Sequence, residues 1–320
     1  MREYLFRRVA ILVPVFFLIT VINFALMNLM PGDAVDAMID PRARQTLDKD
    51  ELDARRRSLG LDKSVPERYV IWIAEIAQGN LGFSFYSRKP VLAELGNKIV
   101  NTFKLQIFAF VVAIVLGLLL GVYAALHQYS LFDYLSTLVS YVFASVPVFF
   151  VALLAIYGFA VTLNWFPTSG TRTLGGEASL LDELHHLALP VLVLSLGSWA
   201  QLMRYTRTSV LEVLSQDYVN TAKAKGLKWP TVVRRHALRN ALLPLITIIA
   251  LSIPTVIAGS VLVETVFDWP GMGQASVLAI GRRDYPLMMG VMVVFSVAVL
   301  LSNLIADLAY AVADPRIRLR

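Results

Sequence analysis

LQIFAFVVAIVLGLLLGVYAAL, residues 105–126, runs for 22 positions without one Asp, Glu, Lys or Arg. As a helix it would be about 33 Å long, enough to cross the ~30 Å hydrocarbon core of a bilayer. Three further charge-free runs have the same reach: Val9–Met30, Ala241–Val263 and Pro286–Ala306. A fourth, Tyr134–Leu163, is longer than one crossing needs, so it either tilts or extends along an interface. Leu187–Met203 is at the short end and is expected to continue helically toward Leu214. The reading is an all-α integral membrane protein with six spanning helices.

Composition agrees. The 320 residues are 57% hydrophobic and only 16% charged, with a mean hydropathy of +0.64, too apolar for a soluble globular domain. There is no cysteine, which excludes disulfides, thiol chemistry and Cys-ligated metals. The first run follows Arg2, Arg7 and Arg8, as a secretory signal would, but it exceeds a signal's apolar region. "MPGDAV" (30–35) is also a poor cleavage site, so the run is expected to be retained.

Basic residues orient the spans. Segment 204–240 holds eight basic residues against two acidic, and the tail 314–320 holds three against one. On the other side, 164–186 has one basic and three acidic residues, and 264–285 has two and three. The long segment 31–98 is balanced at eleven of each. Both termini and segment 204–240 are therefore expected on the cytoplasmic side. This divides the chain into 1–98, a helix plus an outer lid segment, and 99–320, a core of five spans with a cytoplasmic loop.

In the outer segment, "LDKDELDARRRSLGLD" (47–62) predicts a charged helix ending near Gly60. "PERYVIWIAEIAQGN" (66–80) predicts a second, from Pro66 to Gly79, with Val70, Ile73, Ala74 and Ala77 on one face. The pair is either a lid over the membrane surface or a docking surface for an external partner. Pro14, Pro147, Pro190, Pro244 and Pro254 fall in the apolar runs and predict kinks.

Catalytic patterns are missing. His185 and His186 are adjacent, unlike an i, i+4 ligand pair, and neither HExxH nor a phosphate-binding GxxxxGK[ST] loop occurs. The chain is not expected to be an enzyme or to bind a metal, and any ATP hydrolysis must belong to another chain. Lys104, Glu264 and Asp307 lie near span ends, where snorkelling or a local ion pair accounts for them; no carboxylate sits nearer a midplane, as a coupled carrier would need. Ser195, Ser198, Gln201, Ser252 and Thr255 either line a pathway or bond helix to helix. "FDWPGMGQ" (267–274), with Trp269, Pro270, Gly271 and Gly273, is either an outer gate or a plain connection, followed by a short helix.

"DYVNTAKAKGLKWPTVVRRHALRNALLP" (217–244) is the one extended basic stretch set between apolar runs. Tyr218–Lys225 can form a short helix with Asp217 at its N-terminal end. Gly226 suits the left-handed position that closes it, "LKWP" turns, and "TVVRRHALRN" starts a second helix. Thr221, Ala222 and Ala224 carry little bulk, so the short helix is either a solvated loop or fits a neighbour's groove. Aromatic interleaving is absent, which argues against nucleic acid.

This stretch resembles the cytoplasmic loop of binding-protein-dependent ABC importer permeases, E-A-A-x3-G-x9-I-x-L-P. Ala222, Gly226 and Leu238 keep the pattern, while Asn220, His236 and Arg239 stand at its Glu, Ile and Pro positions, with Thr221 at the first Ala. Those departures resemble the first permease subunit of dipeptide and oligopeptide importers. "VINFALMNLMPGDAV" (21–35), "GNLGFSF" (79–85) with Pro90-Val91, "VETVFDWPGMGQ" (263–274), "RDYP" (283–286) and "DPRIR" (314–318) are similar to the same branch. The resemblance implies a type I importer permease in a bacterial inner membrane, paired with a second, homologous permease. It also implies two ATPase subunits holding ATP and Mg²⁺, and an external solute-binding protein. It places Ala222 and Gly226 at the core of ATPase docking, with Asn220, Thr221, Lys223, Lys225, Arg234, Arg235 and Leu238 beside them. The same branch carries nickel, glutathione, opines and oligosaccharides, so peptide is the leading cargo among several.

Overall fold

The computed structural model describes residues 2–29, 35, 48–58, 60–173, 175, 179–254 and 259–313. All regular structure among them is helical, apart from an isolated bridge between Phe83 and Pro90. Two compact units result. One comprises Met1–Asn101 and Gly271–Leu301, the other Thr102–Pro270 and Ser302–Arg320. The first unit joins the N-terminal part of the chain to the internal stretch 271–301, and 302–320 falls in the second.

In the first unit, α1 (Arg2–Leu29) is followed by α2 (Lys49–Ser58) and α3 (Val65–Ala77). Gly60 and Gly79 take left-handed φ of 66° and 79° close behind them, as the sequence predicts. Phe24 of α1 stacks with Tyr69 and Trp72 of α3, and Thr20 shares a hydrogen bond with the Tyr69 hydroxyl at 2.9 Å. The unit's core joins Met27 and the first turns of α4 (Val91–Leu126) to α11 (Met272–Gly281) and the start of α12 (Tyr285–Ala313). A Cβ at Gly290 would collide with Val91.

Two motifs far apart in sequence meet here. The Asp284 carboxylate, 1% exposed, accepts the Ser84 hydroxyl, the Phe85 amide at 3.1 Å and the Tyr86 amide at 3.3 Å. It also accepts the Leu287 amide at 3.3 Å, capping α12. "GNLGFSF" and "RDYP" are thus halves of one clamp.

The second unit is built around α7 (Leu180–Leu214), against which α5 (Leu131–Ser145), α6 (Val148–Thr162), α9 and α10 (Val261–Val266) pack. The α9 run joins Trp229–Thr231, a π-helical Val232–Ala237 and Leu238–Leu251. The α4 helix crosses α7 closely at Gly117 and Gly121: a Cβ on Gly121 would stand 2.6 Å from the Thr206 Cβ and 2.7 Å from the Met203 carbonyl. Small residues four apart permit that approach.

Among the described residues, four helices are long and apolar enough to cross a membrane: Phe6–Leu29, Val91–Leu126, Leu180–Leu214 and Tyr285–Leu308. Run 134–163 is not one straight rod. It breaks at Val146-Pro147 into α5 and α6, bent by 108°, and counts as a fifth crossing if the pair is one span. Run 241–263 differs from the continuous helix expected: α9 ends at Leu251 with Ser252 as its cap, and a separate α10 begins at Val261. Pro14, Pro190 and Pro244 lie inside α1, α7 and α9.

Candidate functional site

The segment between α7 and α9 carries α8 (Asp217–Ala224), as the sequence predicts. Gln216 is its N-cap and makes no side-chain capping bond, so Asp217 acts from the first turn as a favourable charge and not as the cap itself. The C-terminus closes with two bonds, Gly226 N–H to the Lys223 carbonyl at 2.9 Å and Leu227 N–H to the Ala222 carbonyl at 3.4 Å. With Gly226 at φ 78° this is a Schellman motif, which requires a left-handed residue at that position.

The faces of α8 are sharply divided. Val219 and Ala222 are buried, 0% and 5% exposed, against Val232 with Val213 and Leu214 around them. Ala222 therefore seats the helix on its own chain and does not present itself to a neighbour. The outward stripe is Asp217, Asn220, Thr221 and Ala224, all exposed and spaced i, i+3, i+4, i+7. Gly226, Lys225, Arg234 and Arg235 are exposed beside it, and Leu238 is half-buried. Lys223 lies over the Trp229 ring at 4.6 Å, and the Asn240 amide donates to the Tyr218 hydroxyl at 3.0 Å. These contacts fasten α8 to the start of α9 as one rigid knob.

Two arginines read as part of a basic loop prove to be braces. Arg207 lies in α7 and binds Asp133 of α5 through both carboxylate oxygens, the second at 2.7 Å. Asp133, 2% exposed, also accepts the Tyr129 amide at 3.0 Å. Arg204 donates to the Ser140 carbonyl at 3.2 Å and lies 5.0 Å from the Tyr141 ring centre. The end of α7 from which α8 hangs is thereby locked to the bent pair. The only sequence signal was a carboxylate at the start of an apolar run, and its partner is 74 positions away.

The other candidates separate. Ser195 and Ser252 bond their own helix carbonyls, Leu192 at 2.8 Å and Ile248 at 2.9 Å. Ser198 and Gln201 are exposed on α7, in line with Tyr205 and Thr208. Thr255 lies outside the described residues. Trp269 is no exposed flap: it is 1% exposed among Leu105, Ala109, Leu187 and Val191. Pro270 is half-buried, and Gly271 and Gly273 are buried at the start of α11, so this stretch is packed structure in the state described. Lys104 makes the local ion pair expected of it, 2.6 Å from Glu183, while Glu264 is fully buried and accepts the Thr102 hydroxyl at 2.8 Å.

A model of the binding-protein-dependent transport system inner membrane component matches residues 117–319, and its N-terminal companion matches 1–106. The chain belongs to this family. Among its relatives, the oligopeptide transport system permease protein AppB of Bacillus subtilis is 40% identical over 318 residues, covering 99% of both chains. The di/tripeptide transport system permease protein DppB of Pseudomonas aeruginosa is 40% identical over 336 residues, and the dipeptide permease DppB of Escherichia coli K12 is 35% identical over 339, each again with 99% coverage. A chain of the MetNI methionine ABC transporter, in an inward-facing conformation, superposes with a TM-score of 0.54 at 16% identity. That match covers 70% of this chain and 97% of the other, a likeness of fold. As a member of this family, the chain is a multi-pass membrane component of a transport system.

Proposed function

We propose that this chain is the peptide-conducting permease subunit of an ATP-driven importer in a bacterial inner membrane. The observation that carries the reading is α8 itself. A short helix, capped at Gly226 and seated by Val219 and Ala222, offers an outward stripe of small and polar groups between α7 and α9. Such a knob fits a cleft in a partner, and exposed Lys225, Arg234 and Arg235 suit an acidic rim. The partner is an ATPase subunit, which holds the ATP and Mg²⁺. Two such subunits closing on each other would move two knobs together, and the Arg207–Asp133 brace would pass the motion into α5 and α6 as rigid-body alternation.

The remaining parts follow. The chain crosses the membrane six times with both termini cytoplasmic, counting 241–263 as one crossing. It pairs with a second, homologous permease and receives cargo from an external solute-binding protein; membrane lipid surrounds it, and nucleic acid plays no part. Ser198 and Gln201, polar and outward on α7, face the pathway or the second permease, since polar groups avoid lipid. Full-length likeness to relatives named for oligopeptides, di/tripeptides and dipeptides supports a peptide cargo.

Affinity purification of the tagged chain from its host in a gentle detergent, with mass spectrometry of what accompanies it, tests the proposal. The expected companions are P-loop ATPase chains, a second permease and a secreted binding protein whose ligand names the cargo. Recovery of the chain alone, in a detergent that keeps other importers whole, would overturn it.

A further inference from the structure

A cleft of about 1140 Å³ opens within the first unit, between the last turns of α1, helices α2 and α3, the 81–88 loop and the first turns of α12. Segment 31–98 as a whole is charge-balanced, yet this cleft is not. Arg56, Arg68, Arg88 and Arg282 line it, Arg56 being paired with Asp53 at 3.3 Å, against Glu75 as the only carboxylate among its described lining residues. Asp284, close by in the clamp, is turned inward and engaged by the Ser84 hydroxyl and three amides. Among the described residues neither Arg68 nor Arg88 has an ion pair, and Arg282 stacks on Tyr86 at 3.8 Å. Arg88 is held on a turn at φ 56°, an unfavourable angle for a residue with a Cβ, by its amide bond to the Ser84 carbonyl.

Its position specifies what enters. Phe24, Met27 and Asn28 end one candidate span, and Tyr285, Pro286 and Met289 begin another, so the cleft lies at the depth where a bilayer's headgroups start. The α3 helix beside it leaves Val65, Val70 and Ile71 exposed, Val70 at 63%, while Tyr69 and Trp72 turn toward α1. A helix with exposed aliphatic residues, interfacial aromatics and arginine is built to lie in a membrane surface. Guanidinium groups pair with phosphate through parallel hydrogen bonds.

We propose that this cleft holds the phosphodiester headgroup of an anionic phospholipid, tying the outer segment to the membrane. Arg68 and Arg88 bind the phosphate, and the walls formed by Trp72, Leu81 and Met289 accept the glycerol end of the acyl chains.

Native mass spectrometry of the complete assembly, titrated with dioleoyl phosphatidylglycerol or dioleoyl phosphatidylcholine, tests this. Arg68→Gln with Arg88→Gln should lower phosphatidylglycerol occupancy about fivefold per arginine removed and leave phosphatidylcholine unchanged. Glu75→Gln should raise phosphatidylglycerol occupancy, which keeps the test decisive if the double variant misfolds. Unchanged phosphatidylglycerol binding in all variants would overturn the proposal. So would equal displacement by millimolar inorganic phosphate, which would make this a free-anion site. Loss of captured external protein with lipid binding intact would make it a protein-docking site instead.

Discussion

Gly226 is the residue on which the α8 knob depends most directly. Nothing stands within 4 Å of where its Cβ would be, so only its φ of 78° makes glycine necessary. Gly226→Val should cost about 1–2 kcal/mol of local strain, while Gly226→Asn, which tolerates the left-handed region, should cost less. The expected outcome is normal membrane insertion with uptake lost in the valine variant and largely kept in the asparagine one; full uptake in both would remove Gly226 from coupling. Ala222 and Ala224 make the complementary pair. Ala224→Trp adds bulk to the outward stripe and should abolish ATPase co-purification without lowering the detergent melting temperature. Ala222→Leu overpacks a buried site and should lower that temperature, at a cost of about 1–3 kcal/mol.

At the scale of helices, the brace between α5 and α7 is the contact with the largest expected cost. Asp133→Leu leaves the partly exposed Arg207 against α5 without its carboxylate, a loss of about 1–3 kcal/mol. Asp133→Leu with Arg207→Met replaces both charges by apolar groups and should recover most of that stability. If the brace also carries motion, the double variant will be stable yet hydrolyse ATP with reduced uptake; full uptake would make the pair structural only. Scintillation-counted uptake beside phosphate release in proteoliposomes separates the two. The Gly117 and Gly121 crossing has no such alternative, because the Leu202 Cβ at Gly117, and the Thr206 Cβ and Met203 carbonyl at Gly121, leave no space for any side chain.

At the scale of the whole chain, the absence of cysteine is an experimental advantage. A single introduced thiol is a unique reporter of sidedness. Lys225→Cys should react with an impermeant maleimide only in inverted vesicles, and Ser58→Cys only in intact spheroplasts; both sites are exposed. The reverse pattern would invert the topology drawn from the basic residues.

Residue order alone determined that this chain is helical and crosses a membrane, because spans need about twenty consecutive apolar residues and nothing else produces them. It also determined α8 and its closing glycine, since capping and left-handed geometry are local properties of a few neighbouring residues. It did not determine which way α8 faces. Ala222 and Ala224 are equally small, and only packing against Val213, Leu214 and Val232 distinguishes inward from outward. Nor did it reveal that Asp284 closes on Ser84, that Arg207 belongs to Asp133, or that Trp269 is buried. Those contacts join residues up to 200 positions apart. Periodicity and spacing carry no record of such distances, and the partners were decided when the helices packed.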